Sequence, residues 1–473
     1  MSELEKLTER PVAYKKAQSL PPPDSAVPTL RSSDGPSPGV GTIFAASKML
    51  SSARRARMKM RRTSSGMSED QHGQEPGAAR YQSIDEEKEE RGGDDNGQAQ
   101  LVRKASSAPL AKHGDLALLW DMLTGKAINW LLVFVPVAVA SAYMGWSDTA
   151  VFSLNFIAMI PLASMLGDFT EEVAAHTSQT VGGLINATLG NAVEIVVGLQ
   201  ALYANEIRVV QASMLGSVFS NMLLVLGCCF FFGGLKFNEQ TFNSTSAVAN
   251  MSLLLLSSLA LVLPAPLALA KGAAEEDSLL ISRFTGVFLL LMYVQLLIFQ
   301  FKTHSHLFED EDEEEGSMSM TTACIALAVV TVAVSILSEF LVDSIDGFTV
   351  EANLSKTFVG IILLPIIGNA VEHVTAITVA VKDKMELAMG VAVGSATQVA
   401  MFVVPVMVLA GWGMGRDMSL AFPVEEIMLY LLSIIIVSTA VSNGSSNWLM
   451  GSLLVTTYIL VAVAFWFEKV ETI

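Results

Sequence analysis

The stretch VGGLINATLGNAVEIVVGL (residues 181–199) is matched by VGIILLPIIGNAVEHVTAITVAV (residues 359–381). Both contain Gly-Asn-Ala-Val-Glu, and an offset of 178 residues relates the two copies, as it also relates Gly216-Ser217 to Gly394-Ser395. Each copy places a glutamate inside a long apolar segment. A carboxylate in hydrocarbon is costly unless it is compensated, so it marks a functional site by default. One glutamate in each repeat predicts a site near the membrane midplane, where the two repeats meet.

The composition is that of a membrane protein in contact with lipid. Of the 473 residues 52% are hydrophobic and 16% are charged, the mean hydropathy is +0.49, and the apolar residues lie in long blocks. The net charge of −17 is concentrated in a few loop segments, and nothing in its distribution indicates binding to nucleic acid. The three cysteines lie in apolar stretches, which predicts reduced, packed thiols.

The apolar blocks predict the fold class. Setting the first block aside leaves five on either side of an acidic segment, and an odd number of spans per repeat forces the two copies into opposite orientations. We therefore predict an all-α polytopic membrane protein with eleven transmembrane helices, one extra N-terminal helix plus two inverted five-helix repeats. The predicted spans are roughly 127–144, 150–167, 180–203, 208–234, 247–270, 280–301, 321–342, 357–381, 387–411, 425–442 and 448–467.

The same pattern divides the chain into four regions. Residues 1–125 are predicted to be a disordered cytosolic tail, 126–302 the first membrane half with the extra helix, 303–320 an acidic linker, and 321–473 the second five-helix repeat. The basic tail favours a cytosolic N-terminus, and eleven spans then place the C-terminus in the lumen.

The tail itself has two features that point to regulation. The basic run 53–62 is suited to anionic lipid. The sequences Arg61-Arg62-Thr63-Ser64 and Arg103-Lys104-Ala105-Ser106 have the form of sites for basophilic kinases. A solvated tail without a regulatory role is an equally open interpretation.

Polar residues at matched positions predict the composition of the site. Asn191 and Glu194 are three residues apart, as are Asn369 and Glu372, so each pair shares a helix face. An all-oxygen set with two carboxylates suits a hard divalent cation, Ca²⁺ foremost and Mn²⁺ as a second candidate. One such ion or two protons neutralise the glutamates, so Ca²⁺ and H⁺ would compete, and no cofactor is expected beyond these ions. The blocks that follow add further oxygens from Ser217, Ser220, Ser395 and Gln398.

Several other groups leave alternatives open. A single membrane glutamate could simply bridge two helices, although two copies in the same context argue against this. His373 could relay protons or be a packed, hydrogen-bonded imidazole. Glu171 and Glu172 could guard access to the site or solvate a loop. An acidic run could raise the local cation concentration or serve as a solvated connector; it comprises Glu309, Asp310, Glu311, Asp312, Glu313, Glu314 and Glu315.

Over residues 125–470 the sequence resembles the vacuolar cation/proton exchanger (CAX) family of the calcium/cation antiporter superfamily. The resemblance implies that Glu194 and Glu372, with the matched Asn, Ser and Gln residues around them, form the exchange site. It also implies an acidic-organelle membrane, such as that of the vacuole, and a dispensable first helix. The motifs that carry it are 190–194, 368–374, Ser338-Glu339-Phe340, Leu354-Ser355-Lys356-Thr357, 394–398 and the acidic segment.

Three functional classes follow from these features. The favoured one is a secondary active antiporter that exchanges Ca²⁺ for H⁺ by alternating access. A Na⁺-driven Ca²⁺ exchanger shares the repeat architecture, and a cation channel is less compatible because channels usually obtain acidic rings from subunit symmetry. An enzyme is not indicated, since the sequence contains no nucleotide-binding loop or nucleophile constellation. The oligomeric state stays open, with a homo-oligomer among the options.

Overall fold

The computed structural model describes residues 114–264, 275–305 and 316–468. Within these ranges the chain is almost entirely helical, with one short antiparallel pairing of β1 (Gln240–Thr241) and β2 (Ser445–Ser446). Eight described helices are long and apolar enough to cross a membrane, or up to eleven spans form if each of three bent pairs counts as one. Each of the eleven predicted apolar blocks contains helix. The acidic run 309–315 and the tail before residue 114 lie outside the described residues.

The described residues of the first half of the membrane part form nine α-helices, interrupted by one 3₁₀ segment and two π-helical turns. The 3₁₀ segment Ala127–Val133 leads into α2, the turn Ser220–Val225 joins α6 to α7, and the turn Phe299–Thr303 follows α9. The helices are α1 Asp115–Thr124, α2 Phe134–Tyr143, α3 Asp148–Ala175, α4 Gln179–Leu189, α5 Ala192–Tyr203, α6 Ile207–Phe219, α7 Leu226–Lys236, α8 Ser244–Val262 and α9 Glu275–Ile298.

Between residues 316 and 468, the second half contains eight α-helices and two π-helical turns. The turn Val359–Leu363 joins α12 to α13, and the turn Val399–Val403 joins α14 to α15. The helices are α10 Met320–Asp343, α11 Ile345–Ala352, α12 Lys356–Phe358, α13 Leu364–Val381, α14 Met385–Gln398, α15 Val404–Met414, α16 Val424–Val441 and α17 Trp448–Trp466.

One boundary of the predicted tail is wrong. Residues 115–124 were assigned to the disordered region but form α1. Its apolar side chains Leu118, Leu119, Met122 and Leu123 pack against the core, which compensates the entropy cost of ordering the segment. Composition alone missed this helix because it is short and is separated from the next apolar block by Gly125 and Lys126.

Two of the π-helical turns occupy matched positions in the two halves. The repeat offset carries the turn 220–225 onto residues 398–403, and the second half has its turn at 399–403. In both places the turn interrupts a long helix three or four residues after the serine that the motif comparison singled out, Ser217 or Ser395. Such π-helical turns are rare in proteins, and those that occur are often found at functional sites.

The two glutamate-bearing segments differ in their backbone. In the first, Gly190 and Asn191 interrupt the helix, and the two parts meet at a bend of 40°. In the second, the same two residue types lie within the continuous helix α13, and the irregularity is the π-helical turn that precedes it. Pro365 explains this location, because it has no N–H to bond the carbonyl of residue 361, whereas the matched residue in the first half is Ala187.

Two of the glycines that allow close contact between the halves lie beside the site. A β-carbon at Gly216 of α6 would collide with the backbone of Ile361, and one at Gly360 would collide with Ala212. The helix α6 and the π-helical turn Val359–Leu363 can therefore approach this closely only because both glycines lack a side chain. This contact brings the serines of α6 next to the segment that carries Glu372.

Candidate functional site

Glu194 lies in the first turn of α5, directly after the break at Gly190 and Asn191. Its side chain is 8% exposed and faces Gly368 of the second half, where a β-carbon would collide with the carboxylate. A small cavity beside it is lined by Ser213, Ser217 and Leu364 among others. The first glutamate is therefore held against the repeated motif of the other half.

Glu372 lies within α13 and is held by two polar residues from different halves. Its Oε1 accepts a hydrogen bond from Ser395 Oγ at 3.2 Å. The same hydroxyl oxygen accepts from Nδ2 of Asn221, at 3.0 Å. Glu372 is also close enough to Glu194 for the two charges to interact. The structure thus brings together the two carboxylates that the sequence placed in separate repeats.

The asparagines of the two motifs cross between the halves. Asn191 donates from Nδ2 to Oε1 of Gln398 at 2.8 Å. Asn369, fully buried, accepts from Ser217 Oγ at 3.3 Å and donates to the backbone oxygen of Ser217 at 3.4 Å. Each asparagine therefore contacts the helix that follows the motif of the opposite half.

Acceptor oxygens without a donor collect at this site. Within the described residues, buried oxygens that lack a hydrogen-bond partner include Oε2 of Glu194, Oε2 of Glu372, Oδ1 of Asn191 and Oδ1 of Asn221. The other unpartnered buried atoms lie on elements that carry none of these four residues. Leaving a buried acceptor unpaired costs about 1–3 kcal/mol, more when it is charged. Four of the unpaired buried oxygens therefore belong to the two glutamates and to asparagines that contact the opposite half.

The oxygen atoms of this cluster belong to carboxylate, amide and hydroxyl groups. These are the ligand types that Ca²⁺ prefers. In the described part of the chain no group of three or more His, Cys, Asp and Glu side chains could hold a metal ion. The cluster thus combines two carboxylates with neutral amide and hydroxyl oxygens.

Of the remaining predicted residues, His373 lies beside the cluster, whereas Glu171 and Glu172 lie near the end of α3. Ser220 Oγ is 3.4 Å from Nε2 of His373, so the imidazole faces the π-helical turn after α6. Glu172 accepts hydrogen bonds from Ser317 Oγ at 3.0 Å and from the backbone N of Met318 at 2.7 Å, and so fastens the chain before α10. Glu171 is exposed at the same end of α3.

Asn221 was not among the predicted site residues, although it is fully buried beside Ser395. The repeat comparison pointed away from it because its matched position is Val399. Its place at the π-helical turn, one residue after Ser220, would have been a usable signal only with knowledge of that turn.

A buried charge pair was also missed at the other end of the site helices. Arg208 in the first turn of α6 forms an ion pair with Glu426 of α16, whose side chain is 1% exposed. Arg208 also donates to Thr357 Oγ1 at 3.3 Å, and Thr357 donates to Glu468 at 3.2 Å. Burial raises the pKa of Glu468, which lies after the end of α17, above its ordinary value, opposed in part by hydrogen bonding to Thr357 and by the Arg208 charge.

Similar proteins are found by sequence and by structure. The sequence profile described as sodium/calcium exchanger protein matches residues 147–302 and 322–467. A vacuolar calcium ion transporter of Schizosaccharomyces pombe is 41% identical over 355 residues, which cover 73% of this chain and 86% of that protein. A Ca²⁺/H⁺ antiporter of Aphanothece halophytica is 41% identical over 358 residues, covering 72% and 96%. The solved structure of native YfkE has a TM-score of 0.63 at 34% identity, covering 72% of this chain and 99% of that one.

Proposed function

Because the chain belongs to the cation/proton exchanger branch of the sodium/calcium exchanger protein family, we propose that it is a secondary active antiporter exchanging Ca²⁺ for H⁺. The observation that carries the proposal is the group of unpartnered acceptor oxygens on Glu194, Glu372, Asn191 and Asn221. Ca²⁺ would take these oxygens as ligands, and relatives named as Ca²⁺/H⁺ antiporters support the pairing of the two ions.

The exchange follows from the charge of the site. One Ca²⁺ neutralises both glutamates, and so do two protons, whereas the empty site keeps two negative charges in a buried position. Because a buried uncompensated charge is costly, the loaded forms reorient between the two sides and the empty form does not. This restriction is what couples the movement of one ion to that of the other. Mn²⁺ has the same preference for oxygen ligands and is a second substrate in this proposal.

Alternating access would use the contacts that cross the two halves. The amide pair Asn191–Gln398 and the contact Asn369–Ser217 each join one half to the other at the site. Movement of the halves relative to each other would therefore open the oxygen cluster to one side at a time. In this proposal eleven spans form an extra helix and two inverted five-helix repeats, with the boundaries predicted from the sequence.

An acidic organelle supplies the driving force, and the relatives point to the vacuolar membrane. Each exchanged proton contributes about 1.4 kcal/mol per pH unit, roughly a tenfold concentration ratio. We place the N-terminus in the cytosol and the C-terminus in the lumen. The acidic run then faces the cytosol, where it would raise the local Ca²⁺ concentration, and phosphorylation of the tail would be available for regulation.

The decisive experiment is ion flux in sealed vesicles that contain the purified full chain. Ca²⁺ uptake is measured with an acidic interior, with a Na⁺ gradient alone, and with neither gradient, while a trapped dye reports the internal pH. We expect Ca²⁺ uptake only with the pH gradient, accompanied by a rise in internal pH. Uptake driven by Na⁺ alone would instead establish the Na⁺-driven exchanger, and uptake without either gradient would establish a channel.

A further inference from the structure

The helix before the first span lies at a right angle to it. α1 and the helical stretch Ala127–Tyr143 meet at 90°. That stretch has seven 3₁₀ residues and ten α-helical residues. At about 2.0 Å and about 1.5 Å per residue they extend about 29 Å, close to the thickness of the hydrocarbon core. The span is therefore complete without α1, which is left parallel to the membrane surface.

The level of α1 is fixed by contacts with two membrane helices, α10 and α3. Asp115 accepts hydrogen bonds from Ser319 Oγ at 2.5 Å and Thr322 Oγ1 at 2.6 Å, and Ser319 is the N-cap of α10. At the other end of α1, Lys126 forms an ion pair with Asp168 of α3 at 2.6 Å. Because Ser319 begins α10 and Asp168 directly follows the apolar block 150–167 of α3, α1 lies at the boundary of the membrane rather than above it.

The two faces of α1 differ. One face packs on the core through Leu118, Leu119, Met122 and Leu123. The opposite face exposes Leu116 at 83% and Trp120 at 68%, which lie four residues apart and therefore on the same side. On the first span, Trp130 is 80% exposed and Val133 is 65% exposed. The outer face of α1 and the start of the first span therefore both expose large apolar side chains.

We propose that the outer face of α1 binds the lipid surface, with Trp120 as an anchor in the headgroup region. Tryptophan favours this depth because its ring is amphipathic. The occupant is uncharged lipid, since the exposed positions Leu116, Ala117, Trp120, Asp121 and Thr124 carry no basic side chain. Through Asp115 the anchored helix sets the height of α10, the first helix of the second half, relative to the bilayer.

The test uses nitroxide labels on the full chain in vesicles of phosphatidylcholine alone. Cys228, Cys229 and Cys324 are first replaced by alanine, and single cysteines are then introduced as Trp120→Cys, Leu116→Cys, Leu119→Cys or Ser178→Cys. Collision with oxygen, which concentrates in lipid, is compared with collision with a water-soluble nickel chelate. Leu119 represents the packed face, and Ser178, exposed before α4, represents the aqueous surface at the same end.

We expect the ratio of oxygen to nickel collisions to be several-fold higher at positions 120 and 116 than at position 178, with little collision of either kind at position 119. The same values should appear when residues 1–110 are deleted. A label at positions 120 and 116 that meets the nickel chelate freely would show that this face is in water. Labels there that meet neither reagent would show that protein covers it, and either outcome overturns the proposal.

Discussion

Asn191 of the first half donates its side-chain amide to Gln398 of the second half, across 207 residues of sequence. The contact joins the break between α4 and α5 to the end of α14, next to the π-helical turn. Asn369, the repeat counterpart of Asn191, instead accepts from Ser217 at 3.3 Å, whereas the position matched to Gln398 is Ser220. The two asparagines therefore both contact the opposite half, but at positions that the repeat does not match.

The contact between Asn191 and Gln398 leads to the first prediction. Asn191→Ala should lower the Ca²⁺ affinity of transport by about tenfold, because it removes one acceptor oxygen and one hydrogen bond worth about 0.5–1.5 kcal/mol. Initial uptake rates over a range of Ca²⁺ concentrations measure this. Asn186→Ala is the matched control, since Asn186 is exposed on α4 and should give the wild-type affinity. In a double-mutant cycle with Gln398→Ala the two effects should not add.

The second prediction concerns the two carboxylates. Glu194→Gln and Glu372→Gln should each abolish Ca²⁺/H⁺ exchange, because each removes half of the negative charge and one of the two protonation sites. Glutamine keeps the size of the side chain, so insertion and elution in size-exclusion chromatography should be unchanged. Glu239→Gln, at an exposed position in the loop after α7, is the control and should leave the rate within about twofold of wild type. Near-normal exchange in either site variant would make that glutamate a helix bridge.

The third prediction uses two glycines at matched repeat positions. Gly216→Ala should disrupt packing, because a β-carbon there meets the backbone of Ile361, which has no side-chain freedom with which to yield. Gly394→Ala should be tolerated, since nothing lies within 4 Å of the added carbon. Thermal denaturation in detergent should separate the two variants by several degrees. Equal stability would mean that the two halves can separate at this contact.

The fourth prediction is a pH dependence at Glu468. Its folded pKa lies above the ordinary value, so the folded state binds the proton more tightly than the unfolded state. The favourable contribution is therefore fully present at low pH and is lost as the pH rises through the folded pKa. Relative to Glu468→Gln, the wild-type melting temperature should fall as the pH is raised from about 4.5 to neutrality. Arg208, Ser355, Thr357 and Glu425 surround this carboxyl.

Asp417→Asn provides the control for the pH series, because Asp417 lies exposed in the loop before α16. Its melting temperature should follow that of the wild type at every pH. A parallel shift of Glu468→Gln and wild type across the whole range would contradict the assignment, because the two proteins would then bind protons equally.

The sequence predicted more of the site than of its backbone. The repeat comparison predicted that polar residues at four matched pairs of positions would lie close together. In the structure, Glu194 lies near Glu372 and Asn191 contacts Gln398, in both cases between the two halves. The repeat comparison could not find Asn221, because only one half has a polar residue there. Nor could it predict that one Gly-Asn pair breaks a helix and the other does not, since that depends on neighbouring helices and on Pro365 rather than on the motif.

The charge pair of Arg208 and Glu426 was unpredictable for a related reason. The two residues are 218 positions apart and belong to no repeated motif, so only the packing of α6 against α16 brings them together. Conversely, α1 escaped prediction because its amphipathic pattern covers fewer than three full turns. Hydrophobic blocks and motif spacing therefore do not predict short helices or contacts between residues that are distant in the sequence.

The matched π-helical turns allow the history of the molecule to be ordered. If both halves descend from one ancestral gene that was copied and fused, features at the same offset were already present in the ancestor. The turns after Ser217 and Ser395 meet this condition, while the break at Gly190 and the turn before Pro365 do not. We infer that the π-helical turns after Ser217 and Ser395 were present before the duplication. The backbones of the two glutamate segments would then have diverged after the two copies were fused. Distant relatives should accordingly retain the first pair more often than either of the later features.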